Sequence, residues 1–406
     1  MPTDELKIKK MLPLPIRSGG APLMDALALR RSRRLFSDTD IPLDLLSNLL
    51  WAANGVNRPD SKGRTTAAAY GIYNIQIYLA MSVGLFLYHA FGHFLEQVDS
   101  TDLRMQTGIE GPIQLFYAAV KFQLPEHAED LAAIHAGSMA ENVYLFCASE
   151  GLATAVKGSV APDLLHQLFQ LSPDQEIVLG QAVGYPAKPS PVRQALRNFK
   201  YLMRHTENRI FNFFNSTTFK AGNVHLPDPK RSGGMSLNTC LSKRKSHKRF
   251  TREEISAEQL SGLLWAAYGY NRPMIGKRTA PSAFNCQNIS LYAVTSGHLY
   301  FYDALRNQLV AQGSQDVVVQ AARQTWMDDV AVTLIYAADL SLPIERIRLY
   351  SFAQAGAMSQ NAALFCAGNG LGNVIFTSFD HERMRQALSL DAGQEVVLMQ
   401  SAGIPE

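Results

Sequence analysis

Leu12-Pro13-Leu14-Pro15-Ile16-Arg17-Ser18-Gly19-Gly20 returns later as Leu226-Pro227-Asp228-Pro229-Lys230-Arg231-Ser232-Gly233-Gly234, and the chain after each copy keeps one register. Arg17 pairs with Arg231, Trp51 with Trp265, Asn57 with Asn271 and Tyr78 with Tyr292, each pair 214 positions apart. Farther along the spacing is 219, as in Tyr117 with Tyr336, Asn142 with Asn361, Gly151 with Gly370 and Gly184 with Gly403, so one insertion near positions 104 to 114 accounts for the change. A period near 200 residues is far too long for a solenoid unit. Each copy is therefore expected to be a whole domain, and the pair a covalent mimic of a homodimer. This places the boundaries at 1–186 for the first copy, 187–225 for a connector and 226–406 for the second.

With 406 residues, 47% of them hydrophobic and 18% charged, the chain has enough material for two ordinary cores. Its longest apolar runs, such as Ile75 to Leu87, are too short and mixed to cross a bilayer, and Met1 to Glu5 does not begin a secretory signal, so a cytoplasmic address is expected. Cys147, Cys240, Cys286 and Cys366 have neither disulfide nor zinc spacing and read as reduced thiols. A net charge of +3 is too small to argue for nucleic acid. It is unevenly spread: nine Lys or Arg against two acids between Ala187 and Arg231 leave the remainder at −4.

Within a copy, Leu45, Leu46, Leu49, Leu50 and Ala53 are spaced for one face of a helix, with Gly55 as its expected cap. In the second copy Ser256 and Gln259 form a capping-box pattern and Gly269 ends the helix. Ile75–Leu79 and Leu85–Tyr88, mirrored by Ile289–Ala293 and Leu299–Tyr302, read as a hairpin that bends at Gly84 or Gly297. A third strand (Leu115–Val120, Val332–Ala337) precedes a long helix (from about Ala132 to Glu150, and Ile347 to Asn369) that stops at Gly151 or Gly370. A last strand closes each copy, Glu176–Val183 or Glu395–Ala402. Irregular mixing of strands and helices predicts an α+β sandwich, and no Gly-x-Gly-x-x-Gly follows a strand to support a dinucleotide fold.

Arg30-Arg31-Ser32-Arg33-Arg34 and its counterpart Arg244-Lys245-Ser246-His247-Lys248 share a pattern of cation, cation, hydroxyl, any residue, cation. The pattern suits a phosphate dianion, since Arg donates bidentate charged hydrogen bonds and Ser adds a neutral donor. A solvated charge run is the other reading of either copy alone, and the recurrence of Ser32 and Ser246 favours the anion site.

Taken in order, Leu-Pro-x-Pro, Arg-Arg-Ser-x-Arg, Leu49-Leu50-Trp51-Ala52-Ala53-Asn54-Gly55-Val56-Asn57-Arg58, Arg278-Thr279-Ala280-Pro281-Ser282-Ala283, a glycine-ended helix with Gln360-Asn361 and a final Gly-x-Pro resemble the FMN-dependent nitroreductase superfamily. The branch that oxidises thiazoline and oxazoline rings is the most similar, and the likeness spans about 12–186 and 226–405. It implies a nitroreductase-like α/β sandwich whose two copies clasp as an intramolecular pseudo-dimer, with FMN held between them and NAD(P)H as co-substrate. A first site would join Arg30, Arg31, Ser32 and Arg34 to Pro281, Ser282, Ala283 and Asn285 of the other copy, with Lys157, Gly158 and Ser159 near flavin N5 and Lys188 reaching the phosphate. A second would join Arg244, Ser246 and Lys248 to Ala67-Ala68-Ala69, with Thr377-Ser378 near N5 and no basic tail before Glu406. The copies depart here, because Ala67, Ala68 and Gly71 stand where Pro281, Ser282 and Asn285 do, so the first site is expected to bind more tightly.

No catalytic triad is expected where a flavin carries the redox chemistry. His135 reads as the start of a helix, and His89 and His93 as surface residues near the hairpin end. Gln360-Asn361 and Glu141-Asn142 read as a buried polar set satisfied across the pseudo-twofold. In the connector, Val192, Ala195, Leu196, Phe199, Leu202 and Met203 oppose Arg193, Arg197, Lys200 and Arg204 on a helix, which reads as a strap across the partner domain or as a helix on an anionic membrane surface, the strap being favoured. Hydride transfer to or from a small molecule or a heterocycle in a peptide is the activity implied. A flavin-binding scaffold with degenerate sites is the alternative.

Overall fold

The computed structural model describes residues 8–68, 71–121, 128–187, 222–314, 316–322, 324–327 and 329–406. Lys188 and the expected connector helix lie outside them. Among the described residues each copy builds one seven-stranded antiparallel sheet. In the first the spatial order is Lys9–Met11, Phe94–Asp99, Gly84–His89, Ile75–Met81, Ile113–Val120, Gln175–Gly184, Ala153–Lys157. The second repeats it with Val224–His225, Gln308–Ser314, His298–Asp303, Ile289–Thr295, Val332–Asp339, Gln394–Gly403 and Gly372–Phe376.

Strand alternation sets the layers. Ile75, Ile77 and Leu79 face a core shared by both copies, while Tyr78 and Ala80 face a core private to the first. Each sheet is thus sandwiched between the common core and a private one covered by short helices, Pro162–Leu168 in the first copy and Asp316–Ala322 with His381–Ala387 in the second. The hairpins form as expected, and Ser296 and Gly297 both take left-handed backbone (φ 47 and 83) between paired Thr295 and His298, the twist a two-residue hairpin loop requires.

At the centre lie two long helices, Ala128–Ser149 and Ile347–Gly368. From Tyr350 to Cys366 the second is buried on every side, which explains why its sequence lacks a polar face. The pair cross at Gly137 and Gly356, where a Cβ on either glycine would collide with a carbonyl of the opposite helix, Ala353 or Ile134. Ser138 Oγ donates to the Gly356 carbonyl at 3.0 Å. The expected polar set spans the same axis: Gln360 Nε2 donates to Asn142 Oδ1 (2.8 Å) and to the Thr65 carbonyl (3.0 Å), and Asn142 Nδ2 to the Ala52 carbonyl (2.9 Å).

The clasp is reciprocal at the backbone too. Leu23 N–H donates to the Met235 carbonyl and Leu237 N–H to that of Ala21, both at 2.9 Å. Asn271 Nδ2 reaches the carbonyls of Leu27 and Arg30 at 2.9 Å, as Asn57 Nδ2 reaches those of Leu241 (2.7 Å) and Arg244 (3.0 Å).

Three expectations change. Gly55 does end the helix Leu43–Asn54, but its backbone is extended (φ −71, ψ 161) and not left-handed. Glycine is needed there because a Cβ would strike the Trp51 indole, as one on Gly269 would strike Trp265. The long helix of the first copy begins at Ala128, so His135 sits inside it. There it is 3% exposed and bonded to Thr66 Oγ1 at 3.2 Å. His93 is part-buried between Ser47 Oγ (2.7 Å) and Tyr88 Oη (2.9 Å), and His89 faces Glu96 at 3.0 Å. Three strands of the first sheet escape the sequence pattern, Lys9–Met11, Phe94–Asp99 and Ala153–Lys157. Phe94–Asp99 lies next to the sheet edge and alternates weakly, and Ala153–Lys157 is only five residues long.

Candidate active site

The two junctions between the copies are built from equivalent elements and end differently. The first encloses a cavity of about 520 Å³. One end carries Ser32, Arg34 and Tyr144 of the first copy, followed by the strand end from Ala155 to Ser159. The second copy adds Pro281–Phe284 and the helix residues Tyr350, Ala353, Gln354 and Ala357. Gly137, Ala140, Ala353 and Ala357, all small, line the cavity from the two crossing helices.

Polar groups at the cationic end are oriented by a short chain of bonds. The Tyr144 hydroxyl accepts from Val156 N–H at 2.9 Å and meets Ser32 Oγ at 2.8 Å. Ser32 and Arg34 are exposed at the rim, where each keeps capacity for an anion. Lys157 Nζ donates to the Gly108 carbonyl, tying the strand end to the loop that completes the wall. That loop is pinned by Gln114, whose Nε2 reaches the carbonyls of Ile109 (2.5 Å) and Arg104 (3.1 Å).

The segment entering from the second copy is backbone-strained. Phe284, Asn285 and Gln287 have φ of 50, 59 and 49, left-handed values that side chains rarely adopt. Ser282 Oγ holds the turn by accepting Gln287 N–H at 2.9 Å. Arg278 anchors its base, lying 4.1 Å from the ring centroids of both Tyr268 and Tyr270 and donating to Gln287 Oε1 at 2.8 Å. Such strain persists only where neighbours over-determine it, commonly beside ligands.

Of the residues singled out for the first site, Ser32, Arg34, Lys157, Gly158, Pro281, Ser282 and Ala283 line the cavity. Arg30 does not: it is 3% exposed and its Nη2 donates to the Arg278 carbonyl at 2.9 Å, a clamp across the copies. Its counterpart Arg244, 1% exposed, repeats that clamp on the Arg64 carbonyl at 3.0 Å. An Arg run does not reveal which member turns inward, and here Arg30 and Arg244 do. Arg31 is exposed but does not line the cavity. The Asn285 Oδ1 accepts from Lys277 Nζ (2.7 Å) and Gln287 Nε2 (3.1 Å), which turns its amide into its own loop.

Burial also perturbs the titratable groups behind the wall. Glu141 is fully buried, with Arg30 Nε at 4.0 Å. Burial pushes its carboxyl up to about 8 against the pull of the Arg30 charge. Burial lowers Arg244 to about 10, with Arg58 adding like-charge repulsion, and holds His135 at about 3.

At the second junction several equivalent positions carry different side chains. Phe376 stands in the place of Lys157, Ala363 in that of Tyr144 and Ser401 in that of Ala182. The longer segment of the second copy brings in Trp326, packed edge-on against Phe376 with centroids 5.8 Å apart, and Lys248 Nζ lies 6.0 Å from the Trp326 ring. Met327 Sδ accepts from Ser401 Oγ at 3.7 Å and from Thr333 Oγ1 at 3.5 Å. Ser246 and Lys248 are exposed, whereas Ala67 and Ala68 bring no polar side-chain atoms from the opposite copy.

Sequence reading misses Tyr144, Tyr350 and Gln354. Setting the copies side by side at a spacing of 219 gives the signal, because these three face Ala363, Leu131 and His135 where most core positions match in kind.

The sequence profile of the nitroreductase family matches twice, at residues 27–185 and 241–404. A crystal structure from Ralstonia eutropha, provisionally named a nitroreductase, is 39% identical over 45% of this chain and 90% of its own, with a TM-score of 0.43. Another of that provisional name, from Anabaena variabilis, covers 98% of both chains at 15% identity and a TM-score of 0.70, so the fold extends over the whole doubled chain. A similarly named protein of Methanocaldococcus jannaschii is 25% identical over 182 residues, 41% of this chain and 89% of that one. Among the described residues no helix is long and apolar enough to cross a membrane.

Proposed function

The chain belongs to the nitroreductase family, and from that premise we propose that it is an FMN-dependent oxidoreductase with one working site, at the first junction. The observation that carries the reading is the 520 Å³ cavity, which falls within the ordinary size of ligand sites and draws its walls from both copies. Its donor set fits the cofactor. Ser32 and Arg34 offer a neutral and a charged donor to a phosphate, and Gly137, Ala140, Ala353 and Ala357 keep the helix-lined side of the cavity free of bulky side chains. The main chain of Gly158 and Ser159 closes the wall where the reactive edge would lie.

When bound, the flavin supplies hydride chemistry at N5, and the protein's part is to bind, orient and keep water out. Tyr144 fixes the Ser32 hydroxyl, Lys157 braces the 108–110 loop, and the Pro281–Phe284 turn would help hold the cofactor from the opposite copy. NAD(P)H is the proposed reductant, with a small electron-poor organic molecule as acceptor. Loss of Tyr144, Lys157, Pro281 and Ser282 equivalents at the second junction supports reading it as a structural remnant.

Steady-state NADPH oxidation by the purified full-length protein, with and without a quinone or nitroaromatic, tests the activity. A yellow protein that oxidises NADPH faster with the acceptor is the expected result. A colourless protein that does not take up added FMN would instead favour a scaffold.

A further inference from the structure

The second copy's long helix starts at an arginine in an unusual conformation. Arg346, its N-cap, has φ 60 and ψ 26, a left-handed backbone usually left to glycine or asparagine. Its side chain crosses to the first copy, where Nη1 donates to the Gly158 carbonyl at 3.3 Å. One turn on, Tyr350 is 8% exposed and its ring lies so close to Gly158 that a Cβ there would collide with it. Gly158 directly succeeds the strand Ala153–Lys157 and lines the large cavity, as does Tyr350.

We propose that Arg346 and Tyr350 are positioning residues by which the second copy sets the main chain of Gly158 and Ser159 in the first copy's cofactor wall. A guanidinium on the carbonyl and a ring against the Cα fix both the tilt of the 158–159 peptide and its depth in the cavity. The inference rests on the flavin reading and adds to it a division of labour: the copy that supplies no working site of its own shapes the reactive edge of its sibling's. Opposite Tyr350 the second junction has Leu131, and opposite Gly158 it has Thr377, so this grip belongs to one side only.

The test is FMN titration of the full chain stripped of flavin, read by quenching of FMN fluorescence, together with the visible band shape and midpoint potential of the loaded protein. Arg346→Ala is expected to weaken FMN binding about ten- to hundredfold, as for loss of a charged hydrogen bond, and to shift the potential. Arg346→Lys should recover part of both. Gly158→Ala should bind FMN poorly because of the Tyr350 ring, and the double variant Gly158→Ala with Tyr350→Ala should bind better than Gly158→Ala alone. That rescue separates positioning from general loss of fold. If Arg346→Ala binds FMN with wild-type affinity, band shape and potential, or if the double variant gives no rescue, the inference is overturned. Failure of the wild-type chain to bind FMN would instead overturn the flavin reading beneath it.

Discussion

The first junction of this molecule lines a cavity of about 520 Å³ with polar groups from both copies; the second, made by the same strands and helices in the same order, carries apolar side chains at several of those positions. Features shared by both junctions define what the clasp needs: crossed glycines 137 and 356, inward Arg30 and Arg244, and Asn57 and Asn271 on opposite carbonyls. Features confined to one define what the cavity needs: Tyr144, Lys157, Pro281, Ser282, Tyr350 and Gln354.

Substitutions can break this comparison at graded cost. The largest effect belongs to the shared part. Gly137→Val forces a branched side chain into the Ala353 carbonyl and is expected to cost about 4 kcal/mol or more in urea unfolding; a cost below about 1 kcal/mol would mean the helices do not cross as described. Next comes Trp326→Ala, which removes the ring packed on Phe376. Loss of the aromatic pair with Phe376 should lower stability by about 2 to 4 kcal/mol while leaving FMN affinity at the first junction unchanged. A fall in affinity with no loss of stability would assign Trp326 to a binding site.

The joint replacement Ser32→Ala with Arg34→Ala should weaken FMN about tenfold or more by titration, whereas Ser246→Ala with Lys248→Ala should leave it unaltered. Equal effects from both pairs would make the junctions equivalent.

The smallest effect is a pH dependence. Glu141 faces Arg30 of its own copy and Asn361 of the other, whereas the matching position holds Gln360. Its carboxyl is raised from 4.5 to about 8, so the folded state binds that proton more tightly than the unfolded state. The stability linked to it is complete below about pH 4.5 and is lost as pH rises through 8. Glu141→Gln copies the second junction into the first and should reduce the fall in stability between pH 6 and 9 by about 1 to 2 kcal/mol, measured by urea midpoints. Parallel curves for the variant and the wild type would show that Glu141 titrates normally.

Much of this is legible in the chain because duplication supplies its own control. The spacing of 214 and then 219 locates the insertion in the stretch that in the second copy holds the helix Asp316–Ala322 and Trp326. Periodicity marks the hairpins and long helices, since alternation and apolar spacing are local properties. The direction in which each arginine of a run points is not local. Arg30 and Ser32 sit two residues apart, yet one is buried as a clamp and the other exposed at the cavity, a difference set by the carbonyl of Arg278, 248 residues away. The need for glycine at 55 is visible in the sequence but its reason is not, because the Trp51 ring that excludes a Cβ is placed by tertiary packing. The packing of Trp326 on Phe376 needs the fold, since nothing in the sequence around Trp326 names Phe376 as its partner.

Flavin content per polypeptide tests the unequal junctions most directly. Saturating the full-length chain with FMN and measuring bound flavin against protein should give one FMN per chain, lost when Ser32 and Arg34 are replaced and kept when Ser246 and Lys248 are. Two FMN per chain bound with equal affinity would contradict it.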